Sequence, residues 1–258
     1  MRANPKDIPS DEVRTAHTLF DLTEFLLEEE EATITEMADS LGYAKSTVHR
    51  HVSTMNSLGY VVPGSDGYRL SLLFIKYGYK IKNRQQGYNQ AKAKTEKLAE
   101  ETGERVQFIV EESGKAVYLH RARGDQAIRT DPGIGHRIPL HATAAGKAIL
   151  AAMDEADRSR IIEQADFPSL TNQTITDSVE LREQLEDIRE RGYSYNLQEN
   201  LDGLRAVGVA IGGPDDSVLG ALSISGPTHR MEGARFQEEL PKLLLGAANE
   251  LELNIIHS

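Results

Sequence analysis

The sequence predicts a two-domain α+β chain: an N-terminal winged helix-turn-helix, a long linker helix and a C-terminal α+β domain. Three observations carry this prediction. Apolar residues recur at helical spacing from Val13 to Leu58 and run into a hairpin signal. From Glu104 onward the pattern changes to short apolar runs broken by glycine-containing turns. Residues 41–97 hold ten basic residues against only Asp66 and Glu96, inside a chain whose formal net charge is −11. The expected bounds are 10–70 for the winged helix-turn-helix, 71–102 for a linker or dimerisation helix, and 103–258 for the second domain.

In the first helix, Val13, Leu19, Phe20, Leu22, Phe25 and Leu26 make an apolar face that ends at the acidic run Glu28–Glu31. Thr33 follows as an N-cap, with Glu36 three residues on completing a capping box. The helix through Met37, Ala38 and Leu41 stops at Gly42, a residue that tolerates a left-handed terminus. Val48, Val52, Met55 and Leu58 then share one helical face, and Gly59 closes the helix. Its opposite face carries Lys45, Ser46, Thr47, His49, Arg50 and Ser53. In "YVVPGSDGYRL", two apolar runs flank Gly64-Ser65-Asp66-Gly67, which reads as the wing.

Residues 72–102 read as one long helix with Gly78 and Gly87 as weak points. Leu72, Leu73, Ile75, Tyr79 and Ile81 make its start too apolar for a solvated spacer, so it is expected to pack or self-associate. Beyond it, "VQFIVEE", "KAVYLHRA" and "QAIRTD" read as strands. Helices follow at 142–153, about 155–165 and 177–191. "LRAVGVAIGG" and "SVLGALSISGP" form a hairpin around Pro214-Asp215-Asp216, and a last helix over 233–255 must kink or restart at Pro241. Antiparallel strands with helices grouped between them define an α+β domain.

Composition removes several functions. The absence of cysteine excludes disulfides, thiol catalysis and thiolate metal sites. No apolar run reaches the roughly 20 residues that span a bilayer. The N-terminus lacks a signal-peptide core, so a cytoplasmic protein without a membrane partner is expected. The basic block counters the acidic total, because local charge decides where a polyanion docks.

The stretch "PLHATAAGKAIL" looks like a phosphate loop, yet the first Walker glycine would fall on His141 and the magnesium-binding hydroxyl on Ala148. What remains is a helix start built of small residues, Ala142 to Gly146. Its free N–H groups suit an anion, but on periodicity alone its small side chains point to close packing on a sheet. Ser223 and Ser225 alternate on one strand face in "ALSISG", without a Gly-x-Ser-x-Gly elbow. The eight histidines show no ligand spacing. No catalytic residue, metal or cofactor is expected.

"ITEMADSLGYAKSTVHRHVSTMNSLGYV", "IPLHATAAGKAILA", "RGYSYNLQENLDGLRAVGVAI" and "GALSISGPTHRM" resemble, in order, the DNA-binding signature and the effector-domain blocks of the IclR family of transcriptional regulators. The resemblance covers nearly the whole chain. It implies a GAF-like effector domain, dimers often paired into tetramers, and promoter binding, activating or repressing, governed by a small molecule. Double-stranded DNA would then meet Lys45, Ser46, Thr47, His49, Arg50 and Ser53, with Arg69 near phosphates. The effector would be lined by Ala144, Ala145, Asn196, Leu204, Ala206, Ser223 and Ser225. Relatives that bind small keto acids tend to carry aspartate in place of Asn196 and cysteine in place of Ala206. An organic acid, sugar acid or aromatic carboxylate is therefore expected. Lys147 becomes a surface residue on this reading. The competing reading is a metabolite-sensing or hydrolytic α+β protein whose basic block meets a protein partner.

Overall fold

Thr33 starts the second helix as its spacing to Glu36 requires. In the computed structural model, which describes residues 9, 11–127, 133–214 and 217–256, the Glu36 amide donates to Thr33 Oγ1 at 3.2 Å. The Thr33 amide donates back to Glu36 Oε2 at 2.8 Å. The helix so capped, α2 (Ile34–Leu41), lies between α1 (Arg14–Glu29) and α3 (Lys45–Ser57). It ends at Gly42 with φ +72°, a left-handed turn that costs glycine nothing. The strands β1 (Val61–Pro63) and β2 (Tyr68–Leu70) pair antiparallel as the wing. The core beneath them is Leu22, Phe25, Leu26, Met37, Val48, Val52 and Met55, with Ala38 between the helices. Val13 and Phe20, expected on that core face, are instead exposed, at 67% and 64%. Phe20 sits two positions from Leu22, about 200° around the helix, and cannot share its face. Leu58 is likewise exposed, past the last turn of α3.

The expected long helix is two helices, α4 (Leu73–Lys82) and α5 (Gln86–Thr102). Gln85 has the extended angles of an N-cap, φ −117° and ψ 135°, so the interruption falls there and not at Gly78 or Gly87. The chain divides at the same place into two compact units, Met1–Lys82 and Asn83–Ser258.

In the second unit six strands pair antiparallel in the order β5-β4-β3-β8-β7-β6. They are β3 (Arg105–Glu112), β4 (Lys115–Arg123), β5 (Arg137–Pro139), β6 (Ser194–Leu197), β7 (Leu204–Gly212) and β8 (Val218–Pro227). Neither β5 nor β6 is among the expected strands. The remainder of the expected "QAIRTD" strand, Ile128 to Asp131, lies outside the described residues, as do Asp215 and Asp216 of the hairpin. One sheet face packs Val106, Phe108, Leu222 and Ile224 against α5 and the last helix, α9 (Leu240–Ile256). The other packs Ile109, Ala221 and Tyr118 against α6 (Ala144–Ala152) and α8 (Ser178–Arg191), with α7 (Glu155–Glu163) beside them. The expected kink or restart at Pro241 takes the form of a π-helical turn over Arg235–Glu239, flanked by helical Ala234 and Leu240. The helix therefore runs past the proline through a local distortion and not a break. No helix among the described residues is long and apolar enough to cross a membrane.

Candidate functional site

The outer face of α3 is polar because its inner face is spent on Val48, Val52 and Met55. Lys45, Ser46, His49, Arg50 and Ser53 are exposed and Thr47 is half-buried. His51 turns partly inward, its Nδ1 2.9 Å from Thr47 O, which leaves His49 as the outward histidine. Arg69 is exposed on β2. The wing tip is held from outside: Glu31 Oε1 accepts from the amides of Asp66 at 2.7 Å and Gly67 at 3.0 Å, and from Ser65 Oγ at 3.2 Å. The Asp66 amide, first among these contacts, keeps the Glu31 carboxyl below the usual carboxylate range.

The basic block does not form one surface. Lys94 is buried and pairs with Glu250 at 2.7 Å. Arg84 approaches Glu112 at 3.6 Å, and Lys92 approaches Glu96 at 3.7 Å. In the first unit Lys45, Arg50 and Arg69 are all exposed, and Arg69 lies near enough to Glu31 to help lower its pKa.

In the second unit, strand register builds a pocket. Arg105, Ser225, Ala206 and Asn196 lie side by side across β3, β8, β7 and β6. Gln107, Ser223, Gly208 and Ser194 form the next row. Side chains of alternate residues share a sheet face, so both rows face α6. Gly208 lets α6 come down onto the sheet: a Cβ there would lie 2.6 Å from Ala144 C and 2.7 Å from Ala145 N. The rows also hold the helix in place. Ser194 Oγ donates to Ala144 O, and Asn196 Nδ2 donates to Ala142 O at 2.6 Å.

Thr143 caps α6, its Oγ1 accepting from the Gly146 amide at 3.0 Å and its carbonyl from the Lys147 amide at 2.9 Å. The amides of Ala144 and Ala145 have no acceptor among the described residues. All seven expected effector residues, Ala144, Ala145, Asn196, Leu204, Ala206, Ser223 and Ser225, line the same cavity. Arg105, Gln107 and Asn200 line it too, and they were missed. The expected strand begins at Val106 and so leaves Arg105 outside it; strand alternation with Val106 and Phe108 places Arg105 and Gln107 on the serine face. Among the lining residues Arg105 is the one full charge, and none is a carboxylate. The cavity offers about 20 Å³ to water centres, little more than one molecule needs.

Two polar groups behave differently from expectation. Asn196 is not simply a wall: besides its bond to Ala142 O, its Oδ1 accepts from the Glu199 amide at 3.2 Å. Lys147 is not a surface residue, being 1% exposed. Residues 144–151 of α6 are all buried between the sheet and α8, so no outward face exists for the ammonium. Its Nζ donates to Glu199 Oε2 and Gln184 Oε1, both at 2.6 Å. Burial lowers the Lys147 pKa, and Glu199 opposes that shift.

Residues 83–252 match the family model described as the C-terminal domain of the bacterial transcriptional regulator IclR, and residues 19–64 match the IclR helix-turn-helix domain. The probable HTH-type transcriptional regulator ArcR of Halobacterium salinarum is 31% identical over 227 residues, covering 86% of each chain. The crystal structure of the Thermotoga maritima IclR aligns over 95% of this chain and 99% of its own, with a TM-score of 0.81 and 26% identity. A double mutant of the Acinetobacter PobR inducer-binding domain, solved with 3-hydroxybenzoic acid, aligns over 64% of this chain and 96% of its own. Its TM-score is 0.58 and its identity 27%.

Proposed function

Because the chain belongs to the IclR family of transcriptional regulators, we propose that a small organic carboxylate, entering the second unit, controls how the first unit binds operator DNA. The α6 edge of the pocket carries this reading: the uncapped amides belong to Ala144 and Ala145, which line a cavity whose walls carry no acid. Helix-start amides hold partial positive charge and favour a carboxylate. Asn196, Leu204, Ala206, Ser223 and Ser225 would fix the rest of the molecule, which could be an organic, sugar or aromatic acid. An acid-bound relative of this domain supports the class of ligand. An effector larger than a water fits only a wider pocket, and preference for one conformation is what lets a ligand shift an equilibrium. The hydrolytic alternative is not carried further, since the matched proteins are transcriptional regulators.

On DNA, α3 would enter the major groove, with Arg50 able to read guanine bidentately. Lys45, Ser46, Thr47, His49, Ser53 and Arg69 would mostly position the backbone. The protein would act as a dimer or tetramer in the cytoplasm, where its operator lies, with α4 as the self-association helix. A gel shift against the chain's own upstream DNA tests the first half. Affinity should fall with salt at a log–log slope of about −0.9 per neutralised phosphate. Arg50→Ala should lose specific binding and Ser225→Ala should keep it; unchanged binding by Arg50→Ala would falsify the assignment of α3. For the pocket, thermal-shift screening of small acids should stabilise the wild type more than Ser223→Ala, and equal shifts remove Ser223 from the contacts.

A further inference from the structure

The helix α4 carries apolar and aromatic residues on two sides. Phe74 and Tyr77 share one side, and Ile75 and Tyr79 lie about 150° round from them. Ile75 and Tyr79 are 63% and 70% exposed. Phe74 and Tyr77 meet the end of the recognition helix through Tyr60. The Tyr60 amide donates to Met55 O at 2.8 Å across the left-handed Gly59, which ties this tyrosine to the last turn of α3. Its ring stacks on Tyr77, with centroids 6.1 Å and planes 19° apart, and meets Phe74 edge-on at 5.5 Å. The phenol oxygens of Tyr60 and Tyr77 are hydrogen-bonded at 2.8 Å.

Ser71 joins the same two helices through the backbone. Its Oγ donates to Gly59 O at 2.5 Å and accepts from the Leu73 amide at 3.2 Å. Its amide donates to Tyr60 O at 2.9 Å. A helix held at one point can swing about it, whereas two separated holds fix its direction. Here the holds are Ser71, at the start of α4, and the tyrosine pair, more than a turn further along. The first unit accordingly runs to Lys82, the last residue of α4. A second copy paired through Ile75 and Tyr79 would carry its own α3 at a set distance from the first. Dimers of this motif read half-sites about one helical turn of DNA apart, so that distance decides which operators fit.

We propose that Tyr60 and Tyr77 are positioning residues for operator binding: their contact fixes the direction of α4 on α3, and the α4 pair thereby sets the spacing of two recognition helices. This rests on the self-association of α4 and on the DNA reading of α3. Without the contact a loose tether joins the two recognition helices, and the effective concentration of the second at its half-site falls.

Gel shifts of the full chain test it on three duplexes: its own upstream site, that site with roughly five base pairs (half a turn) inserted between the half-sites, and a single half-site. The wild type should prefer the native spacing at least about ten-fold. Tyr77 is 44% exposed, so its truncation spares the core. Tyr77→Ala should reduce the preference to within about two-fold while keeping the single half-site affinity and the wild-type mass in light scattering. Tyr77→Phe keeps the ring stack and should retain most of the preference. Ser71→Ala breaks the backbone hold and should also weaken the preference, so the test stands if Tyr77→Ala does not fold. No spacing preference in the wild type, an unchanged preference in Tyr77→Ala, or an equal loss on the single half-site overturns the positioning role and leaves both earlier readings intact. A smaller mass for Tyr77→Ala also overturns it, by placing Tyr77 in the contact between copies. A monomeric wild type overturns the self-association of α4, and a wild type that binds none of the duplexes overturns the DNA reading of α3.

Discussion

Lys147 and Glu199 show what single residues contribute to this fold. The pair is buried at both ends, 1% and 6% exposed at the side chains. It ties α6 to the segment after β6, where Asn200 joins the pocket wall. Removing one partner leaves an uncompensated charge in the interior. Lys147→Met should therefore cost about 3–5 kcal/mol in denaturant unfolding, and adding Glu199→Gln should restore much of that loss. A cost under about 1 kcal/mol would mean the pair reorganises onto solvent. The sequence hid this pair for two reasons. Lysine is rarely buried, so a surface position was the default, and Glu199 lies on a distant segment brought near only by the sheet. Ser223, Ser225 and the small residues at the start of α6 were readable because strand alternation and motif order place them. Asn196 was recognised as part of the pocket, but its two bonds to Ala142 and Glu199 depend on a turn that no spacing encodes.

At the level of elements, local chemistry was the reliable guide. The Thr33–Glu36 box and the Gly42 terminus read directly, because each is settled within a few residues. Thr33→Ala should lower stability by about 1 kcal/mol, measured by thermal unfolding of the full chain. The wing makes a pH prediction. The folded Glu31 carboxyl titrates below its ordinary value because the Asp66 amide favours its charged form. Stabilisation is therefore present above the ordinary carboxylate pKa and disappears as pH falls through the lowered one. Amide exchange at Asp66 and Gly67, corrected for intrinsic rate, should stay protected at neutral pH and lose protection in acid. Glu31→Gln should show no such pH dependence; identical profiles would detach the wing from this carboxylate. Elements shaped by partners were harder to see. β5 and β6 are three and four residues long and exist through pairing with β4 and β7. The interruption at Gln85 carries neither proline nor glycine.

Across the whole molecule, the change in sequence pattern foretold two kinds of unit, while the charge pattern marked a basic block, residues 41–97, that straddles their boundary at Lys82 and Asn83. It did not foretell that several of the clustered cations pair internally. The apolar start of the linker remains uncovered in the single chain: α4 has no buried residue, and Leu72, Ile75 and Tyr79 are 80%, 63% and 70% exposed. Apolar exposure of this kind fits the self-association proposed for α4. Ile75→Asp with Tyr79→Glu should shift the protein toward monomer in light scattering and weaken operator binding; an unchanged mass would place self-association elsewhere.

The β3 strand has a consequence for how such a regulator can diversify. Arg105 and Gln107 line the cavity beneath α6, while Val106 and Phe108 serve the core against α5 and α9. A single inserted or deleted residue would exchange the two sets and ruin both at once. Length variation is thus closed to this strand and left to turns such as Ser113-Gly114. On this strand the cavity wall can change by replacing side chains at every second position, a route that leaves the hydrophobic half of the sheet untouched at each step.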